Sequence, residues 1–191
     1  IQKDPLRFRT NLERLGAYFA FEISKTLSYK EVDTVTPLGV AKSMVLVQQP
    51  VLATILRAGL PMHQGMLNIF DGAESAFITA YRKTKKKGDC VIQMEHISAP
   101  NLEGKTVILV DPMLATGLSI VICAKELTAD YKIEKLHIVA AIASAEGVAH
   151  VRANLPKADL WLGAIDNEMT TKSYIVPGLG DAGDLAYGSK Q

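Results

Sequence analysis

The chain has 191 residues, of which 48% are hydrophobic and 21% are charged, and these values are typical of one globular domain with a buried core. Its formal net charge of +1 gives no electrostatic reason to expect a nucleic acid or an anionic membrane as partner. No apolar run reaches the length of a membrane-spanning helix. The two cysteines, Cys90 and Cys123, lack the spacing of a metal site or a disulfide framework, so we expect a cytoplasmic protein.

The first segment predicts an amphipathic helix, because its large apolar residues recur at steps of three and four. These residues are Phe8, Leu12, Leu15, Phe19 and Ile23. Between Glu31 and Gln49, β-branched residues flank the turn-forming stretch Thr36–Gly39, which indicates a β-hairpin. We expect this arm, residues 31–49, to serve the structure or an interface between subunits rather than catalysis.

A second apolar run, Val51–Leu56, predicts a buried strand that is followed by a helix, since Pro61 suits a first helical turn. The apolar residues expected on that helix are Met62, Met66, Ile69 and Phe70. Arg57 follows the strand directly. Because open α/β sheets bind ligands at the carboxyl ends of their strands, Arg57 is a candidate for binding an anion.

The stretch Ser75–Tyr81 predicts another strand, and five of the six residues in Arg82–Lys87 are basic. The lysines are typical of a solvated hairpin tip. A nucleic-acid patch is disfavoured, because no aromatic residues that could stack on bases are interleaved with them. Val91–His96 would be the return strand, so we expect a flexible arm over residues 82–100.

The stretch Val107–Ser119 has the parts of a phosphate site. Four apolar residues predict a buried strand, Asp111 follows where that strand should end, and a loop of small residues leads to Ser119. A helix is expected next, because Ile120, Cys123, Ala124 and Leu127 have helical spacing. Backbone N–H groups of such a loop and helix start bind anions, while an aspartate accepts hydrogen bonds from sugar hydroxyls. A phosphorylated sugar would fit, although an ordinary βα turn has the same spacing.

The second half of the chain continues the alternation of strands and helices. Leu136–Ile142 is apolar throughout, as in a parallel strand covered on both faces, and Leu160–Ile165 predicts a further strand. Between them, Glu146–Leu155 predicts a helix. The pattern indicates an α/β fold, a doubly wound and mostly parallel sheet with flanking helices, in one domain over residues 1–191.

Near the end, Ser173–Asp184 contains three glycines, a proline and two acids within twelve residues. Glycines remove the side-chain barrier between a loop and its ligand, so such a loop can bring backbone groups close to a flat molecule. A turn-rich terminus without a ligand has the same composition.

Four stretches, in this order, carry a resemblance to a known family: Arg57–Leu60, Tyr81–Arg82, Val110–Ser119 and Tyr174–Asp184. They resemble the uracil phosphoribosyltransferases, a branch of the type I phosphoribosyltransferases that often has a cis peptide in the loop of the first stretch. The resemblance implies a doubly wound sheet with a β-hairpin arm and a C-terminal base-binding hood, residues 173–191. It also implies a pentosyltransferase of pyrimidine salvage, which moves the phosphoribosyl group of 5-phosphoribosyl 1-pyrophosphate (PRPP) to N1 of uracil and gives UMP and pyrophosphate.

The resemblance further implies roles for individual residues. Asp111, Arg82 and Asp181 would be catalytic: Asp111 would bind the ribose hydroxyls, Arg82 the pyrophosphate, and Asp181 would orient the two substrates. The implied PRPP site comprises Arg57, Arg82, Asp111, Pro112, Met113, Leu114, Ala115, Thr116, Gly117, Leu118, Ser119 and Asp181. The implied uracil site comprises Ile175, Gly180, Asp181 and Ala182, largely through their backbones.

The partners that the resemblance implies are uracil and PRPP, with Mg²⁺ carried by PRPP rather than by a protein metal site. Some family members are activated by GTP, so GTP is an expected effector. We expect a homo-oligomer, a dimer or a tetramer, and neither a nucleic acid nor a membrane as partner.

The chain departs from the family pattern at Leu118, where glycine is frequent, and over Thr84–Pro100. A leucine at 118 would weaken phosphate binding if that position needed a left-handed backbone, and would be harmless if only its N–H were used. Two other functions stay open. One is a purine or orotate phosphoribosyltransferase, which the tail motif disfavours, and the other is an RNA-binding regulator, which only Lys83–Lys87 favours.

Overall fold

The computed structural model describes residues 3–84 and 90–189, with the side chains of 81–84 and 90–95 outside the description. Five helices and eleven strands occur in this part of the chain. The helices are α1 (Pro5–Ser24), α2 (Leu60–Leu67), α3 (Leu118–Thr128), α4 (Ala145–Asn154) and α5 (Ala182–Tyr187). The strands are β1 (Tyr29–Thr36), β2 (Gly39–Leu46), β3 (Val51–Leu56), β4 (Glu74–Thr84), β5 (Cys90–Ser98), β6 (Thr106–Val110), β7 (Met113–Leu114), β8 (Lys135–Ser144), β9 (Asp159–Asp166), β10 (Glu168–Met169) and β11 (Ile175–Val176).

The central sheet has seven strands in the spatial order β5-β4-β3-β6-β8-β9, and short β7 pairs with β8 beyond the end of β6. Every pair is parallel except β4–β5. From β3 the chain moves to one edge through α2, and from β6 it moves to the other edge through α3 and α4. The doubly wound, mostly parallel sheet predicted from the sequence is confirmed, and its topological switch point lies between β3 and β6.

Two hydrophobic cores cover the two faces of the sheet. Val51, Ala53 and Ile55 of β3 point into the core formed with α3 and α4, whereas Leu52 points into the core formed with α1 and α2. Such alternation follows from the two-residue period of a strand. Residues of β3, β6 and β8 are buried on both faces, which explains why these segments read as continuous apolar runs.

The predicted arm is confirmed as the β1–β2 hairpin, in which Thr36 pairs with Gly39 across a two-residue turn. In the described part of the chain, β1 and β2 pair only with each other, and most of their side chains are exposed. Val35 is 83% exposed and Leu38 is fully exposed, at 100%. The arm therefore adds little to the two cores and presents apolar side chains to its surroundings.

Some sequence predictions were wrong in detail. Helix α2 ends at Leu67, so Ile69 and Phe70 lie beyond it, although the N–H groups of both still bond to the Met66 carbonyl at 3.0 and 2.9 Å. Phe70 enters the core from this turn, while Ile69 is exposed. By contrast, the return strand predicted at Val91–His96 is confirmed as part of β5, which pairs antiparallel with β4. Residues 85–89 of the arm lie outside the described ones, and its flexibility stays a prediction.

Short elements in the last third were not predicted. Strands β10 and β11 have two residues each and pair with one another, and α5 has six. Elements of this length are not stable alone, because nucleating a helix or hairpin costs more than one turn of hydrogen bonds returns. Within the described residues no helix is long and apolar enough to cross a membrane.

Candidate active site

The site lies at the switch point, where β3 and β6 run side by side and β3 continues two residues beyond its last pair with β6. Thr54 pairs with Val110, so Arg57 and Asp111 emerge next to each other at the carboxyl edge of the sheet. The tail of the chain forms the opposite wall of a cavity of about 490 Å³. The cavity is lined by Ile55, Leu56, Arg57, Ala58, Ala80, Asp111, Met113, Ala115, Ser119, Lys172, Ser173, Tyr174, Gly180, Asp181, Ala182 and Gly183.

The β6–α3 loop, residues 111–117, forms the floor of one end of this cavity. The Asp111 N–H donates to the Val139 carbonyl at 3.1 Å, which extends the sheet pairing past the strand end. One carboxylate oxygen of half-buried Asp111 accepts the Met113 N–H at 3.3 Å. A recess of about 20 Å³ lies within the loop, bounded by Asp111, Met113, Leu114, Ala115, Thr116, Gly117, Ser119 and Ile120. The loop thus surrounds a small hollow next to the start of α3, where backbone N–H groups favour an anion.

Gly117, not residue 118, adopts the left-handed conformation in this loop. Its φ is +74°, and it precedes the first residue of α3, Leu118. A Cβ at Gly117 would lie 2.8 Å from the Gly147 carbonyl oxygen, so both the dihedral and the space require glycine. Leu118 is helical, and its N–H points to the Thr116 hydroxyl at 3.4 Å. A leucine at 118 therefore meets no backbone conflict.

Two residues that the sequence analysis missed lie behind the loop. Buried Ser144 donates its hydroxyl proton to the Ala115 carbonyl at 2.6 Å and accepts the Gly147 N–H at 2.8 Å. A Cβ at Gly147 would overlap the Ala115 carbonyl oxygen, so a glycine is needed there for close approach. Serine just before a predicted helix is a recognisable N-cap. Its contact with Ala115 depends on the register of β7 against β8, which the sequence does not show.

Arg57 both lines the cavity and holds the tail. Its peptide bond to Leu56 is cis. Its guanidinium Nη2 donates to Asp184 Oδ1 at 3.3 Å and to the Gly188 carbonyl at 3.1 Å, while Nε is buried without a hydrogen-bond partner in the described part of the chain. The arginine that was predicted to face an anion is therefore partly engaged by α5.

The tail is held by further polar contacts. Asp181 caps α5 by accepting the Asp184 N–H at 2.9 Å, and Arg9 of α1 donates to the Ala186 carbonyl at 2.6 Å. The Gly178 N–H donates to Asp166 Oδ2 at 3.0 Å. Arg9, Asp166 and Asp184 were not identified from the sequence, because each acts across a long separation in the chain.

The predicted site residues are distributed as follows. Gly180, Asp181 and Ala182 line the cavity, whereas Ile175 of β11 is buried and does not line it. Pro112 is buried, and its carbonyl accepts the Ile142 N–H at 3.1 Å. Arg82 belongs to β4, but its side chain lies outside the described residues, as do those of Lys83–Lys87.

Among the described side chains, the thiol near the site is that of Cys123, and it is not a reactive one. Burial, and then the negative charge of Asp111, raise the pKa of the Cys123 thiol from 9.0 to about 12, so the thiol stays protonated at neutral pH. Burial lowers the pKa of His63 and His137, and neither histidine lines the cavity. In the described ranges no three His, Cys, Asp or Glu side chains cluster as a metal site would require.

Comparisons with known proteins agree with this geometry. The family model described as "Uracil phosphoribosyltransferase" matches residues 2–189. The chain is 48% identical over 191 residues to the uracil phosphoribosyltransferase of Porphyromonas gingivalis, covering all of this chain and 88% of that protein. It is 33% identical to that of Thermococcus gammatolerans, covering 97% and 84%. Among solved structures, the AQ2163 protein from Aquifex aeolicus matches with a TM-score of 0.90 at 29% identity, covering 98% of this chain and 89% of that one.

Proposed function

The chain belongs to the uracil phosphoribosyltransferase family, and we propose that it transfers the 5-phosphoribosyl group of PRPP to N1 of uracil. The products are UMP and pyrophosphate, which makes the reaction a step of pyrimidine salvage. One observation carries the proposal: one cavity at the switch point is lined both by the β6–α3 loop and by the glycine-rich tail. One wall suits a phosphorylated sugar and the other suits a flat base.

The β6–α3 loop would hold the ribose 5-phosphate end of PRPP. Backbone N–H groups within residues 113–119 and the hydroxyls of Thr116 and Ser119 would be donors for the 5′-phosphate, and the N-terminal dipole of α3 favours its charge. Asp111 is a carboxylate at the mouth of the same loop and would accept hydrogen bonds from the ribose hydroxyls.

The pyrophosphate end would lie near Arg57 and Arg82. In the reaction the bond between C1 and the pyrophosphate oxygen breaks, with its electrons leaving on pyrophosphate, while the C1–N1 bond forms and the N1 proton is released. Guanidinium groups stabilise the charge that develops on the leaving group. Asp181 would contact PRPP from the tail side of the cavity and so help to hold both substrates in register.

A divalent cation fits this site, because Asp111 and Asp181 bring hard oxygen donors to the cavity that would also hold the pyrophosphate. Mg²⁺ carried by PRPP would neutralise part of the pyrophosphate charge. Orientation of two bound reactants contributes up to roughly 7–11 kcal/mol in well-aligned systems. The cavity therefore needs no covalent nucleophile, which agrees with the protonated Cys123.

Uracil would be read by the tail. The backbone groups of Ile175, Gly180 and Ala182 offer donors and acceptors that complement the carbonyls and N–H of the base. Gly180, with φ +87°, places backbone rather than a side chain at the cavity wall. A wall this close would exclude the second ring of a purine.

The test is a product assay with labelled uracil, PRPP and Mg²⁺, in which we expect UMP and pyrophosphate in equal amounts. Parallel reactions with hypoxanthine, guanine and orotate should give no nucleotide. Formation of IMP or GMP instead would overturn the choice of base, and the absence of every nucleotide would overturn the proposed activity.

The assembly that we propose is a homo-oligomer in which the β1–β2 hairpin packs on a second copy. The support is its apolar side chains, which have no core to enter: Val35, Leu38, Val40, Met44, Val45 and Val47 are all exposed. Light scattering should give at least twice the mass of one chain, and replacing Val35 and Leu38 by lysine should reduce it to one. GTP as an effector and the cytoplasm as the compartment stay predictions, the first to be tested by adding GTP to the assay.

A further inference from the structure

The β6–α3 loop rests on the junction between β8 and α4. Ser144 Oγ has one proton and gives it to the Ala115 carbonyl, and the same oxygen accepts the Gly147 N–H. Both contacts are buried, and Ser144 is only 1% exposed. The hydroxyl therefore performs two tasks at once: it caps α4 and holds the loop against it.

Holding this carbonyl fixes the direction of the next amide. The cis peptides of the described chain are Leu56–Arg57 and Val176–Pro177, so the peptide between Ala115 and Thr116 is trans. In a planar trans peptide the N–H points opposite to the C=O. Because the Ala115 carbonyl points to Ser144, the Thr116 N–H points away from α4.

Gly147 supports the same geometry from behind. Any side chain there would overlap the Ala115 carbonyl oxygen, and a Cβ at Gly117 would lie 2.8 Å from the Gly147 carbonyl oxygen. The recess of about 20 Å³ in the loop is bounded by loop and α3 residues, with Ser144 and Gly147 outside its wall. These two residues therefore touch the loop and not the ligand space.

We infer that Ser144 and Gly147 are positioning residues for the 5′-phosphate of PRPP: they orient the Ala115–Thr116 peptide so that its N–H serves the anion. The inference rests on the proposed function. Preorganised donors matter because an amide that must reorient on binding loses part of the affinity it would supply. The effect should be confined to ligands that carry the 5′-phosphate.

The first test is direct binding by isothermal titration calorimetry with ribose 5-phosphate and with pyrophosphate. Ribose 5-phosphate carries only the phosphate that the loop would hold, whereas pyrophosphate represents the other end of PRPP. We expect Ser144→Ala and Gly147→Ala each to weaken ribose 5-phosphate binding by about tenfold and to leave pyrophosphate binding within twofold.

Ser144→Ala and Gly147→Ala disturb the loop by different means, so a loss of binding in both is not explained by one variant folding poorly. Ser144→Ala removes the tether and the helix cap. Gly147→Ala keeps both groups and favours the helix intrinsically, but forces the carbonyl to move. If Ser144→Ala does not fold, the test uses Gly147→Ala and Ser144→Thr. Ser144→Thr keeps a hydroxyl and should bind ribose 5-phosphate within threefold of the native chain.

The matched control is Asp4→Ala. Asp4 caps α1 by accepting the Arg7 N–H at 3.1 Å and lines neither the cavity nor the recess, so its loss removes a helix cap without touching the loop. Both cap variants should lower Tm, Ser144→Ala by more because its two hydrogen bonds are buried, and only Ser144→Ala should weaken ribose 5-phosphate binding. Steady-state kinetics should show the same division, with KM for PRPP raised about tenfold and KM for uracil within twofold.

Three results would overturn the inference: unchanged ribose 5-phosphate binding in both variants, equal weakening of ribose 5-phosphate and pyrophosphate, or no ribose 5-phosphate binding by the native chain. Failure of the proposed function would look different. In that case the native chain makes no UMP, while the calorimetric difference between Ser144→Ala and Asp4→Ala persists.

Discussion

The β6–α3 loop and the tail segment, residues 170–189, face each other across one cavity, but different forces hold them. The loop is continuous with the sheet and is pinned by buried hydrogen bonds to Val139, Ile142 and Ser144. The tail is held by partly exposed contacts from Arg9 and Arg57 and by a pair of two-residue strands. Buried bonds keep one geometry because leaving them unmade is costly, whereas exposed ion pairs contribute only about 0–1 kcal/mol.

This difference assigns different tasks to the two walls. A phosphate binds best to amides that are already aligned, and we propose that the loop supplies them. A base must enter and leave between turnovers, and we propose that a wall held by a few partly exposed contacts opens at a lower cost than the loop. We therefore expect substitutions in the loop to affect stability and PRPP together, and substitutions in the tail to affect uracil with little change in stability.

The largest expected effects come from replacing one glycine by alanine in each wall of the cavity. Gly117 and Gly180 both have a left-handed backbone, but a Cβ meets the Gly147 carbonyl at the first position and open space at the second. Gly117→Ala should destabilise the fold by about 2–3 kcal/mol and raise KM for PRPP by roughly thirtyfold or more. The reason is that a left-handed backbone strains alanine and that its Cβ also overlaps the Gly147 carbonyl oxygen. Gly180→Ala should cost about 1–2 kcal/mol and raise mainly KM for uracil. Equal effects on both substrates would remove the distinction.

A second prediction concerns Asp111. Replacement by asparagine keeps the size but removes the charge that would bind the ribose hydroxyls, so kcat/KM should fall by at least about tenfold, or about 1.4 kcal/mol. Asp130→Asn, on the exposed turn after α3, is the control and should change nothing. Native kinetics in the Asp111 variant would take this carboxylate out of the mechanism.

A smaller effect is expected at the ion pair between Arg57 and Asp184 of α5, which we call the latch. Asp184→Asn removes the ion pair between Asp184 and Arg57. The side chain of Arg57 is 36% exposed and that of Asp184 is 40% exposed. In this variant KM for uracil should rise about threefold, while KM for PRPP stays within twofold. In the native chain KM for uracil should rise with added salt, since salt screens exposed ion pairs. A salt response that is identical in the variant would count against the latch.

The smallest effect is expected at Cys123. Its pKa of about 12 exceeds the ordinary 9.0, so burial of the neutral thiol stabilises the fold fully below pH 9, and this contribution is lost as the pH rises towards 12. In a Cys90→Ser background, Cys123 should resist a thiol reagent at pH 8 until urea unfolds the chain. Rapid labelling of the native chain, or loss of activity in Cys123→Ala, would contradict the role of a simple core residue.

Much of the framework was predictable from local pattern. The strands at Val51–Leu56 and Val107–Val110 were identified because parallel strands buried on both faces are apolar throughout. The hairpin was identified from its turn, and the motifs around Asp111 and Asp181 from resemblance to the family. In contrast, the sequence predicts a loop where α5 forms, because a six-residue helix with an internal glycine forms only when the Asp181 cap and the contacts of Arg9 and Arg57 hold it.

The chain's order of residues settled which chemical groups are present: an aspartate after one strand, an arginine after its neighbour and a glycine-rich tail. Periodicity settled the strands and helices that carry them, because side-chain burial repeats with the geometry of each element. Folding settled how those groups are oriented. Gly117 rather than Leu118 has the left-handed backbone, Arg57 donates to Asp184, and Ser144 donates to the Ala115 carbonyl of the loop. The sequence alone does not show these arrangements, because each depends on contacts between segments that are far apart in the chain.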